Sequence, residues 1–383
     1  MISGLYLHIP FCSHKCFYCD FYSISNTSRM DDFVNAMCRE IELSSSKYET
    51  VIRPETIFIG GGTPSILTIP QISKIVSALN ANFDISAVKE FTIESNPGTL
   101  AEDKLKSYLD MGINRLSIGV QSLDNDELRF LQRVHSAEQA LDNIALARRL
   151  GFNNINADVI FSLPGQQWNT FENTLDRLLD CEVEHISAYS LIYEENTGLY
   201  DALLKGEVAK NDDDEEADIY IQMIEKFART GHVQYEISNF AKADYQCLHN
   251  LNYWRRNEYL GFGPSAHSFI NGERYGNVPD IANYIDCLDK SELPISERET
   301  LTRSNTIDEI FYLSLRAEGL DTNKLKSEFG IDVLADKAKL ISKLIADDKI
   351  FIDNSIIKLY PAGYAICDYL AVILSENYQG KEG

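Results

Sequence analysis

Three cysteines, Cys12, Cys16 and Cys19, fall within eight residues in the spacing C-x3-C-x2-C, after an apolar run and with Tyr18 before the last. Three thiolates on one tight loop can hold three corners of an iron-sulfur cube and leave the fourth iron without a protein ligand. An open iron is a place where a small molecule can bind and be reduced. A structural zinc wants four ligands and usually shows two separated pairs. No second C-x2-C occurs in the chain, and His8 and His14, either of which could complete a zinc site, stand outside the usual spacing. A disulfide would leave one thiol over. The spacing favours the cluster, with zinc as the alternative.

Further polar and glycine-rich sequence follows at intervals. Gly60-Gly61-Gly62-Thr63-Pro64 is a run in which backbone groups can approach a ligand closely. Glu94-Ser95-Asn96-Pro97-Gly98 offers a carboxylate that can accept hydrogen bonds from both hydroxyls of a ribose. Gln121, Arg133 and Asp158 come next. Singly each is a routine polar residue, but as a series they describe the lining of a site for a polar ligand.

Elements that would position them alternate regularly. Short β-branched or apolar runs at 5–9, 56–59, 90–93, 115–118, 155–160 and 185–191 predict strands. Between them lie helical patterns, with capping boxes at Thr68-Ile69-Pro70-Gln71, Thr99-Leu100-Ala101-Glu102 and Ser136-Ala137-Glu138-Gln139. Six β-α units predict an α/β fold, an open three-quarter parallel barrel. In such folds ligands bind at the carboxyl ends of the strands. The cysteine loop, the glycine turn and the polar residues all fall on that edge, so they should face one cavity.

At 383 residues and 44% hydrophobic content the chain can bury a large core. No signal-like N-terminus and no run of 18 apolar residues occurs, which predicts a cytoplasmic protein without a transmembrane segment. Cys38, Cys181, Cys247, Cys287 and Cys367 are scattered, as in a reducing compartment. The net charge of −23 opposes nucleic-acid binding by attraction. Its densest run, Asp212 to Glu216, fits the first turn of a helix. From about Thr306 the pattern changes. Helices carrying Ile307, Ile310 and Phe311, then starting near Asp321, then carrying Leu334, Ala338, Ile341 and Ile345, precede a hairpin around Asp353-Asn354 and a final helix over 362–374. This order predicts a C-terminal winged-helix-like module, acting as a lid or a docking domain for a partner.

With these residues in hand, the chain resembles the radical S-adenosylmethionine superfamily, through C-x3-C-x2-C with Tyr18, the GGGTP turn and Glu94. Within it, Tyr6-Leu7-His8-Ile9-Pro10-Phe11-Cys12, Glu94-Ser95-Asn96-Pro97, Leu116 to Ser122 and Leu163-Pro164-Gly165-Gln166 resemble the oxygen-independent coproporphyrinogen III oxidase group. Two departures point to that group's heme chaperone branch. Oxidases carry a further cysteine two residues beyond the triad, where this chain has Phe21, and they carry an N-terminal arm ahead of the first strand. Cys247-Leu248-His249-Asn250-Leu251-Asn252-Tyr253-Trp254 resembles the HNxxYW motif of the same branch, associated with heme.

The resemblance implies a [4Fe-4S] cluster on Cys12, Cys16 and Cys19. It implies S-adenosylmethionine held by Tyr6, Tyr18, Gly61, Gly62, Thr63, Glu94 and Ile192, and a second molecule held by Gln121, Arg133 and Asp158 with the glycine-threonine turn. It implies heme at His249. The implied function is heme binding and transfer to an acceptor protein, the alternative being oxidative decarboxylation of coproporphyrinogen III to protoporphyrinogen IX. An electron donor for the cluster is implied, with any membrane association peripheral and through a partner. The expected organisation is a barrel over 1–195, an extension with the HNxxYW motif over 196–300 and the winged-helix-like module over 301–383.

Overall fold

Six strands form where the alternating runs place them in the computed structural model, which describes residues 2–378. They are β1 (Gly4–Ile9), β2 (Thr56–Gly61), β3 (Glu90–Ser95), β4 (Arg115–Gln121), β5 (Ile155–Phe161) and β6 (His185–Ser190). Each lies parallel to the next in chain order. Helices α1 (Met30–Ser45), α2 (Ile69–Asn82), α3 (Glu102–Asp110), α4 (Asn125–Phe130), α5 (Ala137–Leu150) and α6 (Trp168–Asp180) join them.

Side chains alternate across a strand, and here the alternation is chemical. Leu5, Leu7, Ile9, Ile57, Ile59, Phe91, Ile93, Leu116, Ile118 and Val120 are buried on one face. Tyr6, His8, Glu94, Ser117, Asn156, Asp158 and Ser187 occupy the other, concave face. The barrel interior is therefore polar, and its apolar core lies between sheet and helices.

The fold is α/β with a mostly parallel sheet, as the β-α repeat predicts, and the sheet is larger than six strands. Tyr259–Phe262 pairs parallel with the free side of β1, and His267–Ile270, Glu273–Asn277 and Ile295–Thr300 continue that edge. These strands escape periodicity because the first three have only 4, 4 and 5 residues and the last, Ile295–Thr300, carries Glu297, Arg298 and Glu299 in succession.

Two of the three capping boxes form. Gln71 reaches back to the Thr68 N–H at 2.9 Å, and Ser136 and Gln139 bond reciprocally. At the third, Ala101 occupies the N-cap position of α3 and no side chain caps the helix. The Thr99 hydroxyl donates to the Asn96 carbonyl at 2.6 Å, so it tightens the turn after β3 rather than opening the helix.

The chain divides into two compact units, 1–211 with 247–249 and 257–299, and 212–246 with 250–256 and 300–383. The stretch 196–300 is thus shared between them. In the second unit Asp212 caps Asp213–Arg229, whose first turn carries the acidic run. Helices Arg303–Arg316 and Thr322–Phe329 form as the stripes predict, but the third stripe breaks at Lys337 into Val333–Asp336 and Ala338–Ala346. The last helix likewise divides into Pro361–Tyr364 and Cys367–Ser375. Strands Ile350–Asp353 and Ile356–Leu359 make the hairpin, with Leu320–Asp321 paired to the second. Its turn is Asn354-Ser355, both left-handed at φ 49° and 70°, one residue beyond the expected pair. Ile307, Phe311, Leu344, Ile357 and Leu370 are among the residues that close this unit's own core.

Candidate functional site

A cavity of about 450 Å³ opens at the carboxyl ends of the strands. Cys12, Cys16, Cys19, Tyr18, Gly61, Gly62, Thr63, Glu94, Gln121, Arg133, Asp158 and Ile192 all line it. Separate β-α loops bring them together, as the shared strand edge requires.

The cysteine loop is closed at its base. The Ile24 N–H donates to the Pro10 carbonyl at 2.7 Å and the Cys12 N–H to the Ile24 carbonyl at 3.0 Å. The glycine turn packs beneath it, with the N–H groups of Gly62 and Thr63 donating to the carbonyls of Ile9 and Phe11, each at 2.8 Å. A Cβ on Gly62 would stand 2.7 Å from the Phe11 oxygen and 2.9 Å from the Cys12 sulfur. Gly61 is left-handed at φ 108°. The glycines therefore serve the approach of one backbone to another, and the thiols are held by that contact.

Around the thiols runs a hydrogen-bonded chain. The Thr63 hydroxyl lies 3.6 Å from the Cys12 sulfur and accepts from the Asn96 amide at 3.0 Å. Arg133 donates to the Cys16 sulfur at 3.2 Å, to the Asn96 oxygen at 2.6 Å and to the Gly119 carbonyl at 2.9 Å. Asn96 was not among the expected site residues. Its signal was its place two residues beyond Glu94, at the end of a strand.

Of the carboxyls that line the cavity, Glu94 and Asp158 stand on strands β3 and β5. Glu94 accepts from the Gly61 N–H at 3.0 Å. Burial, and then the nearby Asp158, push its pKa up to about 8. Asp158 accepts from Asn156 at 2.8 Å and Ser117 at 3.2 Å, and its pKa is raised by burial against those hydrogen bonds. Asn156 also accepts from His185 at 2.6 Å and Ser187 at 3.1 Å, a polar brace set by the register of β4, β5 and β6.

The family model described as Radical SAM superfamily matches residues 6–178. A Bacillus subtilis protein named heme chaperone HemW is 38% identical over 334 residues, covering 86% of this chain and 87% of that protein. The chain belongs to the HemW family. A Lactococcus lactis HemW is 32% identical and covers 95% of each chain. The solved structure of coproporphyrinogen III oxidase (HemN) from Escherichia coli, described as a radical SAM enzyme, shares the fold with a TM-score of 0.83. It is 24% identical and covers 98% of this chain and 90% of its own.

Membership of this family implies a [4Fe-4S] cluster and S-adenosylmethionine, and the residues present fit them. Three thiols share one open cavity, and two of their sulfurs receive donors from fixed side chains. Among the described residues no three His, Cys, Asp or Glu side chains converge as a single-ion site does.

Two expected residues of the HemW-family chain lie outside the cavity lining. Tyr6 turns its hydroxyl to His8. The His8 Nε2 donates to the Tyr22 carbonyl at 2.8 Å, so Nδ1 accepts from Tyr6 at 3.1 Å. His249 sits at the opposite end of the barrel. Its Nδ1 is 2.8 Å from the Thr56 hydroxyl, and its ring stacks on Phe58 at 5.2 Å. Glu90 anchors the start of helix Leu248–Trp254, accepting from the Cys247 thiol at 3.3 Å and the N–H groups of Leu248 and His249 at 2.8 and 3.0 Å. Burial, with Arg115 second, lowers the His249 pKa to about 3, so its imidazole stays neutral.

Proposed function

We propose that this chain is a heme chaperone, binding heme and passing it to an acceptor protein on a scaffold that also holds a [4Fe-4S] cluster and S-adenosylmethionine. The observation that carries this reading is the 32–38% identity to proteins named heme chaperone HemW over most of the chain. Phe21 supports it, since it replaces the oxidase cysteine with an apolar ring, 68% exposed, at the cavity wall.

Cys12, Cys16 and Cys19 would hold the cluster, and the glycine turn, Tyr18, Glu94 and Ile192 would receive the nucleoside and methionine. When bound, the two cofactors supply one-electron reductive chemistry. The chain's own part is placement. The Glu94 carboxylate accepts from ribose hydroxyls, the cysteine loop is held rigid on the glycine turn, and the barrel wall excludes water. Gln121, Arg133 and Asp158 would hold a second S-adenosylmethionine, and an electron donor must reach the cluster. His249 is the proposed heme ligand. Its neutral imidazole suits iron, but ligation requires helix Leu248–Trp254 to release Thr56 and its Glu90 anchor.

The deciding experiment is titration of the anaerobically reconstituted protein with hemin. A Soret band that shifts in His249→Ala supports ligation there, and an unchanged band removes His249 as the ligand. A HemN-like activity is the second reading, favoured by the shared fold and by the presence of Gln121, Arg133 and Asp158 in the cavity. Formation of protoporphyrinogen from coproporphyrinogen III and S-adenosylmethionine would establish it. Quantifying 5′-deoxyadenosine with and without heme tests whether S-adenosylmethionine is consumed.

A further inference from the structure

The Asn96 side chain touches the supports of two cluster cysteines. Its amide nitrogen donates to the Thr63 hydroxyl at 3.0 Å, and its amide oxygen accepts from Arg133 at 2.6 Å. Beyond those neighbours stand the Cys12 sulfur, 3.6 Å from the Thr63 oxygen, and the Cys16 sulfur, 3.2 Å from the guanidinium. We propose that Asn96 is a positioning residue that aims two hydrogen-bond donors at the sulfurs of Cys12 and Cys16, and that these donors raise the reduction potential of the cluster. The inference rests on the cluster reading above.

Donor directions follow from the chemistry of the groups. A guanidinium can only donate, so the oxygen of the Asn96 amide must face Arg133 and the nitrogen must face Thr63. Thr63 accepts there, which leaves its single hydrogen for the Cys12 sulfur. Arg133 is held by a second acceptor, the Gly119 carbonyl at 2.9 Å. A Cβ at Gly119 would lie 3.0 Å from the Asn96 oxygen and 3.1 Å from the guanidinium, so the clamp also depends on a glycine one strand away.

Reduction places one more electron on the cluster and raises the negative charge on its sulfurs. A donor fixed on those sulfurs stabilises the reduced form more than the oxidised form. The charged Arg133 should contribute more than the neutral Thr63. A residue that only held a ligand carboxylate would leave the potential of the ligand-free cluster unchanged.

The test uses the full chain loaded anaerobically to four irons, without heme or S-adenosylmethionine. Stepwise dithionite supplies the electron, and the one-electron-reduced signal is followed by electron paramagnetic resonance. Thr63→Val, Arg133→Gln and Asn96→Ala should each make the cluster harder to reduce, Asn96→Ala by roughly tenfold in the oxidised-to-reduced ratio, which is about 59 mV for a one-electron couple. Thr63→Ser should keep the parent value. Fully loaded variants with unchanged potentials would overturn the proposal. If Asn96→Ala does not load, deuterium exchange on the parent decides. An exchangeable proton coupled to the cluster and lost in Thr63→Val supports the proposal, and no such proton in the parent overturns it. A parent chain that takes up no iron would overturn the cofactor reading itself.

Discussion

At the residue scale, Glu94 carries the clearest consequence. A carboxyl inside a barrel, beside a second carboxyl, keeps its proton well past the usual range, and its pKa stands at about 8. Accepting from both hydroxyls of a ribose requires the ionised form. Affinity for S-adenosylmethionine in the reconstituted protein should therefore rise as pH goes from 6.5 to 8.5, by up to roughly tenfold per unit below the pKa. Glu94→Gln should bind more weakly at pH 8.5 and lose most of this dependence, as isothermal titration would report. An equal pH slope in parent and variant would place the titrating group elsewhere.

At the element scale, the turn after β2 and the helix Leu248–Trp254 are held by different means. Gly62 lies against the Phe11 carbonyl and the Cys12 sulfur, so Gly62→Ala should displace the cysteine loop. Iron content after reconstitution should fall well below four per chain, while far-ultraviolet circular dichroism stays the same. The helix is held by Glu90, which satisfies two backbone N–H groups and a thiol. Glu90→Ala leaves those donors buried and unpaired, at a cost of about 1–3 kcal/mol for each backbone donor lost. Urea denaturation should show a lower midpoint. A neutral result would mean that the helix readily finds other acceptors, which would ease its release toward heme.

At the scale of the whole molecule, buried groups of opposite sense shape stability against pH. Burial raises Glu40 and Glu236 to about 7 and Glu94 to about 8, while it lowers His249 to about 3 and His135 to about 4. For the carboxyls the folded chain keeps protons that the unfolded chain has lost, so their contribution declines as pH rises from about 4.5 to 7 or 8. For the histidines the unfolded chain takes up protons that the folded chain refuses, so stability declines as pH falls below about 6.5. The two trends oppose each other between about 4.5 and 6.5, and only the carboxyls remain above it. With three carboxyls set against two histidines, the unfolding free energy of the cluster-free chain should fall gently between about pH 5 and 6.5 and go on falling above it, each carboxyl contributing at most about 1.4 kcal/mol per unit. Urea midpoints measured from pH 5 to 8.5 check this, and Glu40→Gln should shallow the decline.

Local spacing alone determined the cysteine triad, the glycine turn, the six strands and two of the helix caps, because each is set by residues within a few positions of one another. The family resemblance was legible for the same reason, since its motifs are short and contiguous. The third cap was lost to a competing local bond: Thr99 turned to the Asn96 carbonyl instead of opening α3. The added edge strands join the sheet only through Tyr259–Phe262, whose partner β1 lies more than 200 residues away, with Gly4 opposite Tyr259, and no local pattern announces that pairing. Only the tertiary structure decided which faces meet. It turned Tyr6 to His8, placed His249 behind Thr56 at the far end of the barrel, and made Asn96 the link between two cysteines. Spacing along the chain can aim three thiols from one loop, but the side-chain donors that stand 3 to 4 Å from the Cys12 and Cys16 sulfurs are chosen by loops from other strands.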